Sequence, residues 1–189
     1  MSYILWGLAL FLIPHFLIYT PARAGLQARL GEKGARAVLG LPMILGFLLL
    51  IPGYWASRAG PLAADWLWYP PEGLRPLALL LPLPAMVLIA ATFLKGHIKR
   101  LVRNPMDWGF LLWAGGHLLA TGKLAAMLIF GGFALLALVD LAVETARGTI
   151  PAHRPSLSQD AIALGLGLGL YAAFAFWFHP LVLNLPVLP

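Results

Sequence analysis

Residues 124–143 read Leu-Ala-Ala-Met-Leu-Ile-Phe-Gly-Gly-Phe-Ala-Leu-Leu-Ala-Leu-Val-Asp-Leu-Ala-Val, with Asp140 the one charge in the stretch. About 20 apolar residues rising 1.5 Å each cross the roughly 30 Å hydrocarbon core of a bilayer. A transmembrane barrel strand would alternate apolar and polar residues, and this run is continuous. It predicts a spanning helix. Working outward, similar runs occur at residues 3–19, 37–56, 77–94, 105–121 and 161–178. The expected fold class is therefore all-α: a single-domain polytopic transmembrane helical bundle over residues 1–189, with about six spans. Span 105–121 is the shortest and the least secure as a full crossing. Thr121-Gly122-Lys123 is short enough to join it to 124–143 as an antiparallel hairpin.

The whole chain agrees. Of 189 residues, 61% are hydrophobic and 11% charged, and mean hydropathy is +0.86. A soluble domain averages about 25% charged residues, and disorder needs low hydrophobicity with high charge, so both are excluded. There is no Cys, which removes disulfides, thiolate nucleophiles and Cys-based zinc or iron–sulfur sites. No phosphate-cradling Gly loop, no Ser–His–Asp order and no HExxH are present. No span carries paired carboxylates, which ranks an ion-coupled transporter low.

The net charge of +6 is unevenly placed. Arg23, Arg29, Lys33 and Arg36 fall in the first loop, Lys95, Lys99, Arg100 and Arg103 in the third, and Arg147 and Arg154 in the fifth. Only Arg58, Arg75 and Lys123 fall on the other side. By the positive-inside rule the odd loops are cytoplasmic and both termini face outward. The charge then reads as topology and anionic-lipid contact, not nucleic-acid binding. The first segment has no basic residue before its apolar run and a basic cluster after it, the reverse of a signal peptide, so it is expected to be a retained helix. Trp66-Leu67-Trp68-Tyr69-Pro70-Pro71 reads as an interfacial aromatic belt; a lid over an outward-facing cavity is the alternative.

An ionisable side chain inside a span is costly and therefore informative. His15 and His117 are the two such histidines, and Asp140 lies near the end of its span. Each His is either a packed side chain bonded to a carbonyl or a metal ligand or proton carrier in the bundle. His117 stands out. Trp113 is one turn earlier on the same face, Gly115-Gly116 precede it, and Gly116-x-x-x-Ala120 lets a helix or flat ligand approach the backbone. His97, His153 and His179 sit at segment ends, where a solvated position is expected. Asn104, Pro105 and Asp107 read as N-cap, first helical residue and dipole partner. Arg100 and Arg103 beside them could bind an anionic group. Gly165, Gly169 and Ala173 form a small-residue stripe for helix packing or homo-oligomerisation.

Taken together, these residues resemble a known family. His15 is followed by the basic loop Arg23…Gln27-Ala-Arg29-Leu-Gly31. Then come Trp68-Tyr69-Pro70-Pro71 and His97-Ile-Lys99-Arg100-Leu-Val-Arg103-Asn104-Pro105-Met106. The most specific piece is Leu112-Trp113-Ala-Gly-Gly-His117-Leu-Leu-Ala120-x-Gly122, before a Phe130-Gly131 helix ending in Asp140. Over about residues 5–145 this is similar to the NnrU family of bacterial membrane proteins, relatives of the plastid zeta-carotene isomerase. The resemblance implies haem b as cofactor. His15 and His117 become candidate axial ligands, Trp113 a cofactor contact, and Arg29, Arg100 and Arg103 candidate propionate partners. It implies an isomerase-like role on an apolar isoprenoid, or one linked to nitrite and nitric oxide reduction, in the bacterial inner membrane. The chain departs from the family at Asn104, where Arg-His-Pro is usual, and at Thr121-Gly122-Lys123, where Asn-Gly-Asp is usual. A non-enzymatic scaffold or small-molecule carrier is the first alternative. A membrane methyltransferase is the second, weakened by the absence of a histidine at Asn104.

Overall fold

The computed structural model describes residues 1–59, 64–148, 150–185 and 187. These residues are helical, with no strand among them beyond one isolated bridge between Trp66 and Lys123. The helices are α1 (Ser2–Leu17), α2 (Pro21–Ser57), α3 (Arg75–Leu80), α4 (Pro82–Ala91), α5 (His97–Val102), α6 (Pro105–Ala120), α7 (Leu124–Arg147) and α8 (Leu157–Ala173). The last runs on as a π-helix, Phe174–Val182.

Four helical stretches among the described residues are long and apolar enough to cross a membrane: Pro21–Ser57, Glu72–Ala91, Leu124–Arg147 and Leu157–Val182. The expectation of about six spans is corrected to these four. Helices α1 and α6 have 16 residues each, about 24 Å at 1.5 Å per residue, short of the hydrocarbon core. Pro105 starts α6 and the extended Thr121 stops it.

The first loop is the second correction. Residues 20–36 are not a loop. Thr20 caps a helix there, its hydroxyl accepting from the Ala22 N–H at 3.3 Å, and Pro21 takes the first helical position, where no N–H is needed. Gly31 breaks the run with φ +70° and ψ 173°, a backbone that a residue with a Cβ rarely adopts. Glu32 and Arg36 then pair across one turn at the start of the following helix.

The chain forms two compact units: Met1–Trp68 with Lys123–Gly132, and Tyr69–Gly122 with Phe133–Pro189. In the first unit, α1 and the later half of α2 run antiparallel at backbone contact. A Cβ on Gly46 would lie 2.6 Å from the Gly7 carbonyl oxygen and from the Phe11 nitrogen, and one on Gly53 would lie 3.1 Å from the Ile4 nitrogen. Glycines permit this approach, and in lipid such close packing is a main source of helix association. Trp66 is tied to the start of α7. The Lys123 ammonium lies 5.2 Å from the centre of its ring, and the Leu124 N–H donates to the Asp65 carbonyl at 2.8 Å.

In the second unit α4 is central. Pro82 and Pro84 lack N–H donors, which interrupts the hydrogen-bond ladder between α3 and α4, yet Leu81 keeps helical angles of φ −59° and ψ −39°. Helix α6 runs antiparallel to this segment. Gly109 lies against Ala85 and Ile89, and Gly116 against Ala78 and Pro82. Helix α8 runs antiparallel on α4 as well, with Gly167 against Val87 and the Tyr171 hydroxyl donating to the Leu79 carbonyl at 3.0 Å. The core between them is built of small residues: Ala85, Ala90, Ala91, Ala114 and Ala163 are all buried. Within this unit Phe133 of α7 stacks on Phe110 at 5.8 Å and meets Trp113 edge-on at 5.4 Å. The expected stripe behaves differently. Gly165 and Gly169 have nothing within 4 Å of an added Cβ, and Gly167 makes the close contact instead.

Candidate functional site

His117 lies in the last turn of α6, where the small face of Gly116 brings α6 onto α3. Its Nδ1 is 2.8 Å from the Trp113 carbonyl oxygen. A carbonyl only accepts, so Nδ1 carries the proton, and in the neutral ring Nε2 carries the lone pair. That is the tautomer a metal-binding imidazole uses, with the ring oriented by its backbone bond. The Trp113 ring lies 5.0 Å away, tilted by 56°.

The structure adds a residue that sequence reasoning placed in solvent. His179 is half-buried, with its ring 5.9 Å from that of His117 and only 22° out of parallel. Its Nδ1 is 2.7 Å from the Phe174 carbonyl oxygen, five residues back. The π-helix produces this arrangement, and such segments concentrate at functional sites. Pro180 within it has no N–H to give an α-helical ladder. The adjoining His179-Pro180 pair, at the end of an apolar run, was the available signal.

Both imidazoles line one cavity of about 70 Å³, together with Met86, Trp113, Tyr171 and Phe174. His15 lies in the other compact unit. It is half-buried on α1, its Nδ1 2.7 Å from the Phe11 carbonyl oxygen and its ring 4.5 Å from that of Phe11. It has the same Nδ1-protonated tautomer as His117.

The basic candidates are at the surface. Arg29 is exposed just before the Gly31 kink, and Arg100 is exposed on α5. Arg103 is exposed with φ +66° and ψ −60°, and the Asn104 N–H donates to the Val102 carbonyl at 2.8 Å across it. This is the γ-turn of positive φ, which is rare and strained for a non-glycine residue. Asn104 occupies the N-cap position of α6 without a capping side-chain bond, while Pro105 and Asp107 take the first turn as expected. Arg103→Gly relieves the strain and is expected to stabilise the chain by up to about 1 kcal/mol. A rise of a few degrees in the unfolding midpoint in detergent checks it; an unchanged or lower midpoint counts against it.

Two histidines expected to be solvated are bonded. The His97 Nδ1–H and the His97 and Ile98 backbone N–H groups donate to Asp160 at 2.8, 2.9 and 3.0 Å. The His153 Nε2–H donates to the Gly96 carbonyl at 3.0 Å. These contacts join the α4–α5 connection to the start of α8 and do not reach the cavity.

The chemistry of the donors suits haem iron at His15 and at His117. The cavity beside His117 is about 70 Å³, smaller than the roughly 300–1,000 Å³ of pockets that enclose a drug-sized ligand. His15 lines no part of that cavity. Comparison with known proteins places residues 3–187 in the match of the family model described as NnrU protein. That match runs past the stretch carrying the motifs and takes in His179. No curated protein and no solved structure matches the chain.

Proposed function

The chain belongs to the NnrU family, and from that membership we propose that it is an integral membrane haem protein with His15 as an axial ligand. The observation that carries the reading is the Nδ1–H bond of His15 to the Phe11 carbonyl, which presents Nε2 as the ligating atom. Bound haem would supply redox and small-molecule chemistry at its open position. Arg29, in the same compact unit, is proposed as a propionate partner, with Arg100 and Arg103 as the other basic candidates. Trp113 and His117 are the remaining cofactor candidates, His117 with the same Nδ1-protonated tautomer as His15. The role is proposed as isomerase-like on an apolar isoprenoid, or associated with nitrite and nitric oxide reduction, as the resemblance implies. A bacterial inner membrane is the proposed location, as the resemblance implies; the outward orientation of both termini rested on six spans and does not carry over to the four described.

An absorption spectrum of the detergent-extracted chain, oxidised and reduced, tests the haem. A Soret band is expected, lost in His15→Ala and kept in His117→Ala. A featureless spectrum that stays so after haem addition removes the reading and leaves a membrane scaffold or carrier.

A further inference from the structure

We propose that the first part of α2, residues 21–30, is an interfacial arm that lies on an anionic membrane surface. Leu26 and Leu30 face the acyl chains, and Arg23 and Arg29 contact lipid phosphates. The inference goes beyond the haem reading and does not rest on it.

This helix has no covering partner within the chain. Gly31 leaves the helical region with φ +70° and ψ 173°, so residues 21–30 are not a continuation of the span that follows. None of the ten is buried: Leu26 and Gln27 are half-buried and the others are exposed. Gly25 has nothing within 4 Å of an added Cβ. Isolated helices shorter than about 12–15 residues are marginal in water even when rich in Ala, and Gly25 weakens this one further. Helical stability in proteins comes mostly from packing one face, so the covering surface here is supplied from outside the chain.

Position and side chains identify that surface. Helix α1 packs antiparallel on the later half of α2, with Gly46 against Gly7 and Phe11 and Gly53 against Ile4. The chain joining them lies at one end of this pair. It carries Arg23, Arg29, Lys33 and Arg36, which are costly in hydrocarbon, so this end stands at the membrane surface. At about 100° per residue, Leu26 and Leu30 share a face, and Arg23 and Arg29 stand about 60° to either side of Leu26. Leu30 is 51% exposed. Arginine stems cover apolar surface while their heads reach phosphate oxygens. Residues 21–31 hold no acidic residue, and among the described residues no carboxylate pairs with Arg23 or Arg29. An apolar stripe edged by guanidinium groups fits an anionic lipid surface. A second copy of the same arm would bring like charges together.

The chain has no Cys, so a single spin label can be placed by Ala24→Cys, Leu26→Cys, Ala28→Cys or Leu30→Cys. Each labelled full chain is put into nanodiscs of phosphatidylglycerol. Collisions of the label with dioxygen, which concentrates in hydrocarbon, are compared with those of a water-soluble nickel chelate. The dioxygen-to-nickel ratio is expected to be at least about threefold higher at Leu26 and Leu30 than at Ala24 and Ala28, which lie on the opposite face. Discs of phosphatidylcholine, or Arg23→Gln in the anionic discs, should cut that contrast by about half or more. The haem reading does not use Arg23, so this result is independent of it. Circular dichroism confirms that each variant is folded. Four labels equally open to the nickel chelate overturn the proposal. So does a contrast that is the same in phosphatidylcholine, because charge then plays no part. Dipolar broadening at the Leu30 label that vanishes on dilution with unlabelled chain also overturns it, because a second copy then covers the arm.

Discussion

Asp160→Ala is expected to destabilise the folded chain by about 3 kcal/mol. Asp160 is 9% exposed and accepts three hydrogen bonds, two of them from the backbone N–H groups of His97 and Ile98. Alanine leaves those two donors at the start of α5 without their acceptor. Each unsatisfied buried donor costs about 1–3 kcal/mol, and bonds to a charged group are the stronger kind. The bond to the His97 ring adds less, because that side chain is 53% exposed and its charge is screened. The site is also closed sterically. A Cβ on Gly96 would fall 2.0 Å from an Asp160 carboxylate oxygen, so glycine is what lets the carboxylate reach the backbone. Thermal unfolding in detergent, followed by circular dichroism, measures the effect. Asp160→Asn should recover part of it, since its amide oxygen still accepts. A change below about 0.5 kcal/mol in Asp160→Ala would show that water replaces the carboxylate, and would sink the argument.

Gly46→Val is the second large effect, expected at about 3 kcal/mol. The first atom of any side chain there meets backbone: the Gly7 oxygen and Phe11 nitrogen at 2.6 Å and the Leu10 carbonyl carbon at 2.9 Å. No side-chain rotation relieves a clash with backbone, so α1 must move off α2. Overpacking costs about 1–3 kcal/mol, occasionally more. In lipid the loss is not offset by a hydrophobic drive to reassociate, because the tails are as apolar as the helix faces. Gly40→Val is the control. It lies on the same helix with nothing within 4 Å of an added Cβ, and its expected change is within about 1 kcal/mol, from helix propensity alone and in the stabilising direction. Equal effects at the two positions would show that propensity, and not contact, decides.

Much of the site's framework was legible because it depends on local composition. His117 with Gly116 at a close helix contact follows from Gly116-x-x-x-Ala120, and Gly116 does meet Ala78 and Pro82 at that distance. The helix at 21–30 was legible too, in Thr20-Pro21, but the basic residues around it pointed to a loop. Charge density and helix formation are independent: Arg29, Lys33 and Arg36 are good helix formers, and only Gly31 breaks the run. The Gly165–Gly169 stripe shows the reverse error. Spacing identifies a smooth face, but neighbours decide which of several smooth faces is used, and α4 meets Gly167.

Hydrocarbon is an exacting solvent, and that is why composition alone reached so far. A chain this apolar must satisfy its backbone internally, and helices do so within each segment. The fold class and the four long apolar helices follow from that rule. The pairing of His117 with His179 does not. It arises from distant segments and from a π-helical turn that re-aims His179. Such a meeting is a property of packing, in which the angle of one turn and the bulk of one glycine decide which side chains share a cavity.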